Sequence, residues 1–393
     1  MTRITRRSAL LGLSSAWAAG GGRASLALAA APTDRRLVVV LLRGALDGMA
    51  AVVPYGDPDL VRLRPGLVGA APGQPGGMLD LGGFYGLHPA LAGLHAMYAA
   101  GEMLPVHAVA GPYRSRSHFD AQDFLESGAD TRLSSGWLNR AVDALPGHRA
   151  NEALAVGVQI PLLLRGPAEV GSYAPPALQG PSPDLYARIA ELSDDDALIG
   201  PVVAEGLRDR GFSSATLQGV VQTGDRNAFA ALAGAAGRLM AAADGPRVAA
   251  LEAGGWDTHA AQAQRLDAPL RQLDAGLVAL RAGLGGAWAQ TAVLVMTEFG
   301  RTARANGTGG TDHGTAGVAF VLGGAVAGGQ VAGTWPGLAA GKLFEDRDLD
   351  PTTDLRAVAM GLLGGHLGVP AAAMGGVFPG SGGVSGLGGL VRA

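Results

Sequence analysis

The chain has 393 residues, 48% of them hydrophobic, and a net charge of −3. That is enough for one large α/β domain or two smaller ones with a sizeable core, and it argues against a nucleic-acid partner held through phosphate contacts. There is no cysteine, which excludes disulfides, thiolate catalysis, Cys-ligated zinc and iron–sulfur clusters.

The first residues read as an address rather than as fold. Thr5-Arg6-Arg7-Ser8 precedes an apolar run, Ala9 to Ala19, and small residues from Ser25 to Ala31 offer cleavage after Ala29 or Ala31. This is the layout of a twin-arginine export signal over residues 1–31. The run is too short, and too interrupted by Gly and Ser, to span a bilayer. The mature chain, 32–393, is therefore expected to pass the twin-arginine translocase already folded. It would reside in the periplasm or outside the cell, without a membrane span.

Leu37 to Leu42 is an uninterrupted aliphatic run, which predicts a buried first strand. It leads into Arg43-Gly44-Ala45-Leu46-Asp47-Gly48. Alone, Asp47 reads as a turn aspartate bonding its own backbone; in company it reads as a carboxylate at a cleft. Residues 54–86, rich in Pro and Gly, predict an excursion over the sheet. Pro89 to Tyr98 predicts a helix with Leu91, Leu94 and Met97 inward, on which His95 is structural. Met103 to Val109 predicts a second buried strand, carrying His107.

The next loop opens a helix that runs to Ser127. Ser117, with Asp120 three residues on, has the form of an N-cap. The same place suits an alkoxide nucleophile and the anion it attacks, because unpaired N–H groups and the positive end of the helix dipole lie there. Arg114 and Arg116 add positive charge beside it. Two short apolar runs between Leu154 and Leu164 continue the sheet. Residues 175–240, Ala-rich and punctuated by Gly and Pro, predict an inserted helical cap, with Asp194, Asp195 and Asp196 as a helix start.

Val248 to Leu251 predicts another strand, followed by Gly255-Trp256-Asp257-Thr258-His259. Asp257 and His259 stand two apart, so in an extended segment both emerge on one face, as half of a metal site. The other reading is a helix N-cap beside a histidine. A helix from Ala260 to Leu284 follows, with Leu266, Leu270, Leu273, Leu277 and Leu280 on one face. Ala292 to Met296 predicts a strand that runs straight into Thr297-Glu298-Phe299-Gly300-Arg301-Thr302 and, past Asn306, Thr311-Asp312-His313-Gly314. Acids and an imidazole at a strand's carboxyl end are where an open α/β sheet places its ligand. Val318 to Leu322 and Val326 to Val331 are two further apolar segments. Pro351 to Asp354 is a capped start for the last helix, near whose end His366 reads as a packing residue.

Three strand ends thus carry acid, or acid with histidine: Asp47, Asp257 with His259, and Asp312 with His313. A fourth carries Ser117. On a chain alternating strand and helix they converge on one edge of a mostly parallel α/β sheet with helices on both faces. Carboxylate and imidazole without thiol suit Zn²⁺ or Mn²⁺, with Ca²⁺ or Mg²⁺ as further candidates. Two such ions about 4 Å apart activate a nucleophile and stabilise both oxygens of an in-line displacement at phosphorus.

The segments Arg43 to Gly48, Ser117-His118-Phe119, Gly255 to His259 and Thr297 to Gly314 together resemble a twin-arginine-exported bacterial domain-of-unknown-function family, over nearly the whole mature chain. More distantly, the order of an early Asp, a Ser or Thr opening a helix and a late Asp-His-Gly resembles the alkaline phosphatase-like superfamily. That superfamily includes sulfatases, phosphopentomutase and cofactor-independent phosphoglycerate mutase. The resemblance implies an alkaline phosphatase-like fold, one metal on Asp47, Ser117, Asp312 and His313, and a second on Asp257 and His259. It implies Ser117 as nucleophile, with Arg116 and Arg301 stabilising charge; Glu298 and Arg301 would stand behind the ligands or face the substrate. The superfamily's second site has a wider Asp-to-His spacing and one more histidine. Here only His366 follows His313, so Glu298, Asp354 or His118 would have to stand in, or the second site would be weak or absent, leaving a one- or two-metal site. No Cys or Ser precedes an x-Pro-x-Arg signature, which disfavours formylglycine chemistry. The expected function is metal-dependent hydrolysis of phosphate or sulfate esters of a small molecule, glycan or lipid. The alternative is a non-catalytic exported metal-binding or assembly protein that keeps the fold.

Overall fold

The aliphatic run Leu37 to Leu42 becomes the centre of the molecule. In the computed structural model, which describes residues 34–148, 152–157, 159–174 and 228–392, it forms β1 (Arg36–Arg43). The expected export signal and residues 175–227 of the expected cap lie outside the described residues. The other strands of the main sheet are β2 (Met103–Ala110), β3 (Ala153–Val156), β4 (Val170–Tyr173), β5 (Val248–Gly254), β6 (Thr291–Thr297), β7 (Gly317–Leu322) and β8 (Thr353–Asp354). Their order is β8-β2-β7-β6-β1-β5-β3-β4. Every pairing is parallel except the two made by β7, which runs against both β2 and β6.

Helices cover both faces: α1 (Ala92–Ala99), α2 (His118–Ser127), α3 (Trp137–Asp143), α4 (Ala228–Ala241), α5 (Asp267–Leu284) and α6 (Leu355–Leu362). Alternation along β1 divides its side chains between two cores. Leu37, Val39 and Leu41 meet Trp137 and Leu138 of α3 and Leu355 and Val358 of α6. Val38, Val40 and Leu42 meet Leu94 of α1 and Leu270, Leu273 and Leu277 of α5. All six are at most 1% exposed, and each such burial contributes about 2 kcal/mol. This is the mostly parallel, two-faced α/β architecture expected of the chain.

Local chemistry accounts for two departures. The helix expected over 260–284 is broken into Gln262–Arg265 and α5. Pro269 explains the break, since in a continuous helix its ring would clash with the carbonyl of Arg265, whereas the first turn of a new helix tolerates it. Leu162–Leu164 is a 3₁₀ turn set by Pro161, not a strand. Val326 to Val331, expected only as an apolar segment, makes an isolated bridge, Val326 with Val391, and its glycines pass close against Met103.

Residues 54–86 form the expected excursion. Its ends build a small sheet of Val52–Val53, Leu79–Asp80 and Gly86–Leu87. His107 of β2 is sealed beneath it, 1% exposed. Its Nε2 donates to Val52 O at 2.9 Å and its Nδ1 accepts from Ala108 N at 2.9 Å, so the neutral ring is fully satisfied. Tyr85 stacks on it, 5.3 Å between centroids. Burial pushes its pKa from the ordinary 6.5 down to about 4. Between those values the unfolded chain binds a proton that the folded chain refuses, so stability falls as pH drops below 6.5. The loss is about 1.4 kcal/mol per pH unit. Urea denaturation of wild type and His107→Gln should therefore show wild type losing about 2 kcal/mol more than the variant between pH 6.5 and 5.

Candidate metal centre

β1, β2, β5 and β6 all end at one edge of the sheet, and β7 begins there. Carbonyls just past a strand end have lost their ladder partners and need donors. Arg301 supplies them. It is 1% exposed. Its Nε donates to Ala45 O (2.8 Å), Nη1 to Thr311 O (3.1 Å), and Nη2 to Gly44 O (2.6 Å), Trp256 O (3.3 Å) and Asp257 Oδ1 (2.6 Å). The loops after β1, β5 and β6 are thus tied to one guanidinium. Two glycines let them approach. Gly44 has φ +118°, and a Cβ there would stand 2.9 Å from Asp257 N. A Cβ on Gly300 would collide with Ala316 O.

A second buried cation works alongside. Asp47 is fully buried and caps the turn Gly48–Ala51 through Met49 N (3.1 Å) and Ala50 N (3.3 Å). Its other oxygen accepts from Arg64 Nη1 and Gln262 Nε2, both at 2.6 Å. Gln262 Oε1 accepts from Thr258 (3.0 Å) and Thr311 (2.6 Å), and Arg64 also donates to Thr302 O (2.6 Å). Asp47 therefore behaves as the turn aspartate. The expectation that it faces the cleft is corrected, because Arg64, arriving from the 54–86 excursion, neutralises it in the interior.

Above this frame three imidazoles converge. His118 Nδ1 lies 2.8 Å from Glu298 Oε1, His259 Nδ1 3.2 Å from Asp312 Oδ1, and His313 Nδ1 2.8 Å from Arg116 O. Carboxylates and carbonyls only accept, so each neutral ring carries its proton on Nδ1 and turns a bare Nε2 inward. The three Nε2 atoms lie 3.6 Å (His118), 3.0 Å (His259) and 3.4 Å (His313) from Asp257 Oδ1. His259 Nε2 and His313 Nε2 are 3.0 Å apart. Two lone pairs at that distance repel unless a cation stands between them. His118 Nε2 is buried with no hydrogen-bond partner, a state that buried polar atoms rarely keep. Ligand atoms around a tetrahedral ion at zinc-like bond lengths lie about 3.3 Å apart, inside the range seen here. Among the described residues, the ligand atoms of His118, Asp257 and His313 all fall within 4.8 Å of one another, and His259 Nε2 joins them at 3.0 Å from both Asp257 Oδ1 and His313 Nε2. Phe299 floors it, its ring 4.9 Å from His118 and 5.0 Å from His313.

The electrostatics fit a cation. Burial pushes the Asp257 carboxyl up, but the hydrogen bond and charge of Arg301, with His259 and His118, hold it below its usual range. Burial also pushes Glu298 up, yet donors led by His118 bring it to about 2. Glu298 in turn raises His118 above the ordinary histidine value, while burial lowers His313. The Asn306 side chain holds the Asp312 carboxyl below its usual range.

The structure thus brings together Asp257, His259, Asp312 and His313 but groups them differently from the expectation. Asp257 and His313, expected on separate ions, share one cluster, and Asp312 anchors His259 from behind. His118, foreseen only as a stand-in, is a full member; its position opening α2 beside Ser117, at the same sheet edge, is the signal for it. Ser117 occupies the N-cap of α2 without a side-chain cap bond, and Asp120 is taken by Tyr113 (3.0 Å) and Arg132 instead. Arg116 does not offer free charge beside Ser117, since its guanidinium is held by Asp348 (2.7 and 3.0 Å) and Glu345 (2.7 Å). Arg301, expected either behind the ligands or facing the substrate, lies behind them, under the site with its donors committed. His366 packs as expected, bonding Arg36 O at 3.0 Å, at the far end of β1 and roughly 20 Å away. Lysine cannot span four carbonyls and a carboxylate. Arg301→Lys should lose about 3 kcal/mol in urea denaturation at pH 7.

Comparison with known proteins gives a family and distant structural likenesses. A family model described as "Protein of unknown function (DUF1501)" matches residues 99–377. No curated protein matches the chain. Among solved structures it is similar to a mutant TAB5 alkaline phosphatase with Mg bound in its M3 site, at 10% identity and TM-score 0.34 over 74% of this chain and 91% of that one. It is also similar to a protein of the alkaline phosphatase superfamily from Vibrio parahaemolyticus (11%, TM-score 0.31, 81% and 70%). A sulfatase from Pseudoalteromonas sp. is a third likeness (14%, TM-score 0.33, 82% and 67%). The family match runs through His118, Asp257, His259, Glu298, Arg301, Asp312 and His313, and the chain belongs to the DUF1501 family.

Proposed function

We propose that this protein is an exported hydrolase of phosphate or sulfate esters that works with one divalent metal ion held by His118, His259, His313 and Asp257. The observation that carries the reading is the convergence of three Nδ1-anchored imidazoles on Asp257, with His118 Nε2 buried and unpartnered. Three nitrogens and one carboxylate favour Zn²⁺ or Mn²⁺ over Ca²⁺ or Mg²⁺. When bound, such an ion supplies a Lewis acid that withdraws charge from an ester oxygen.

The chain's own residues do the rest. Glu298, Asp312 and the Arg116 carbonyl fix the imidazoles. Arg301 keeps the Asp257 carboxylate ionised and in place. Ser117 stands at the N-terminus of α2, where amide N–H groups face an arriving anion. Its Oγ forms a bond to phosphorus or sulfur as the bond to the leaving alcohol breaks, and the Ser117 proton ends on that alcohol. Water then cleaves the seryl ester, releasing the inorganic anion and restoring the hydroxyl. The substrate is a small-molecule, glycan or lipid ester. Among the described residues, no helix is long and apolar enough to cross a membrane.

A second reading, a non-catalytic exported metal-binding protein, draws on one observation. Arg116 and Arg301, the cations expected to face a transition state, are both committed to other partners. Two measurements separate the readings. Purified protein should carry about one Zn²⁺ or Mn²⁺ per chain by mass spectrometry of metals, falling to below a tenth in His118→Ala and His313→Ala. On a panel of phosphate and sulfate esters, wild type should turn over substrate and Ser117→Ala should lose at least ~100-fold in kcat with its metal retained. Metal uptake without turnover would select the second reading. Export has its own check: replacing Arg6 and Arg7 by Lys should leave the chain in the cytoplasmic fraction.

A further inference from the structure

We infer that Glu298 is a positioning residue that sets His118 as a metal donor, and that Gln122 and Arg43 hold Glu298 in turn. This rests on the metal-dependent reading above. Of the three Nδ1 anchors, only Glu298 is a buried carboxylate, 6% exposed, whereas Asp312 is half exposed and the third anchor is a carbonyl. Glu298 Oε1 accepts from His118 Nδ1 (2.8 Å), Gly44 N (2.8 Å) and Gln122 Nε2 (3.1 Å), and Oε2 lies 2.8 Å from the Thr297 hydroxyl.

The direction of each link is determined. Gln122 Oε1 accepts from Arg43 Nη1 at 3.1 Å, so the amide must turn its NH₂ toward Glu298. Arg43 is itself pinned by Glu126, at 2.8 Å, and by Glu252. A guanidinium only donates and a carboxylate only accepts, so no link in this row reverses without leaving donor facing donor or acceptor facing acceptor. With Oε1 crowded by donors, the proton of the neutral His118 ring belongs on Nδ1, and Nε2 keeps its lone pair toward Asp257. The negative charge behind the ring also raises the basicity of Nε2 toward a cation, which a carbonyl anchor does far less well.

The test reads metal affinity and tautomer rather than turnover. Metal-free wild type, Glu298→Gln and Gln122→Met are titrated with Zn²⁺ against a chromophoric chelator. Glu298→Gln keeps the side chain's shape and removes its charge, and should bind Zn²⁺ about 10- to 100-fold more weakly. Gln122→Met, acting one link further out, should weaken it about threefold. A long-range ¹H–¹⁵N spectrum of metal-free, histidine-labelled wild type should show the His118 proton on Nδ1. Urea midpoints of the variants establish that they fold; if Glu298→Gln does not, the spectrum and Gln122→Met decide. Affinity of Glu298→Gln within twofold of wild type, or a neutral His118 ring with its proton on Nε2 alone, overturns the inference. Wild type that takes up no Zn²⁺ sinks the metal-dependent reading and this inference with it; wild-type uptake with an unchanged Glu298→Gln sinks this inference alone.

Discussion

Arg301 cannot shed its proton, so once buried it must find an acceptor for every donor it points inward. It finds them on Gly44, Ala45, Trp256, Thr311 and Asp257, in loops that follow three different strands. A buried cation left without partners costs several kcal/mol, so no one of these loops can swing away by itself. The same guanidinium fixes the carboxylate on which the imidazoles converge. Scaffold and chemistry share one side chain, and the rigidity of the centre follows from the needs of a charge that never touches the solvent.

The acids beneath the centre divide by what faces them. Asp47 meets Arg64 and Gln262 and becomes a strut. Glu298 meets an imidazole and backbone and side-chain N–H donors, and stays ionised for the benefit of its neighbour. Asp257 meets Arg301 on one side and three Nε2 atoms on the other. All three follow a strand end and all are carboxylates. The roles come from the partner, not from the residue type.

That contrast explains what could be read from the chain alone. Apolar runs such as Leu37 to Leu42 and Ala292 to Met296 locate the sheet, because continuous burial on two faces leaves no polar residue in the run. Asp257 and His259 were legible because a two-residue spacing places both on one face. The turn reading of Asp47 was legible from its glycine neighbours. Regrouping the ligands was not, since His118 with Glu298 and His259 with Asp312 are partnerships across the fold. Arg116 misled for the same reason, as did Arg301 in its substrate-facing reading though not in its place behind the ligands. A cation beside a site looks substrate-facing until its acceptor is known, and Asp348 lies far along the chain from Arg116. The break in the helix after Ala260 could have been anticipated, because Pro269 announces it.

β7 runs against its neighbours, and this gives part of the centre a different reach in sequence from the rest. Because β6 and β7 are adjacent and antiparallel, the segment carrying Glu298, Arg301, Asp312 and His313 is one long hairpin, local in sequence. Asp257 and His259 lie across β1 from it: β1 pairs with β5 (Leu37 with Val248) and with β6 (Leu37 with Ala292), and the partners in both pairings are roughly two hundred residues apart or more. Closing loops of that length takes entropy before any contact forms. The hairpin's own pairing thus closes a comparatively short loop, whereas both pairings that bring it beside Asp257 and His259 close long ones. A cation gripped by all three imidazoles would be a certificate that the long-range pairings of β1 have closed, readable on the surface of the finished protein.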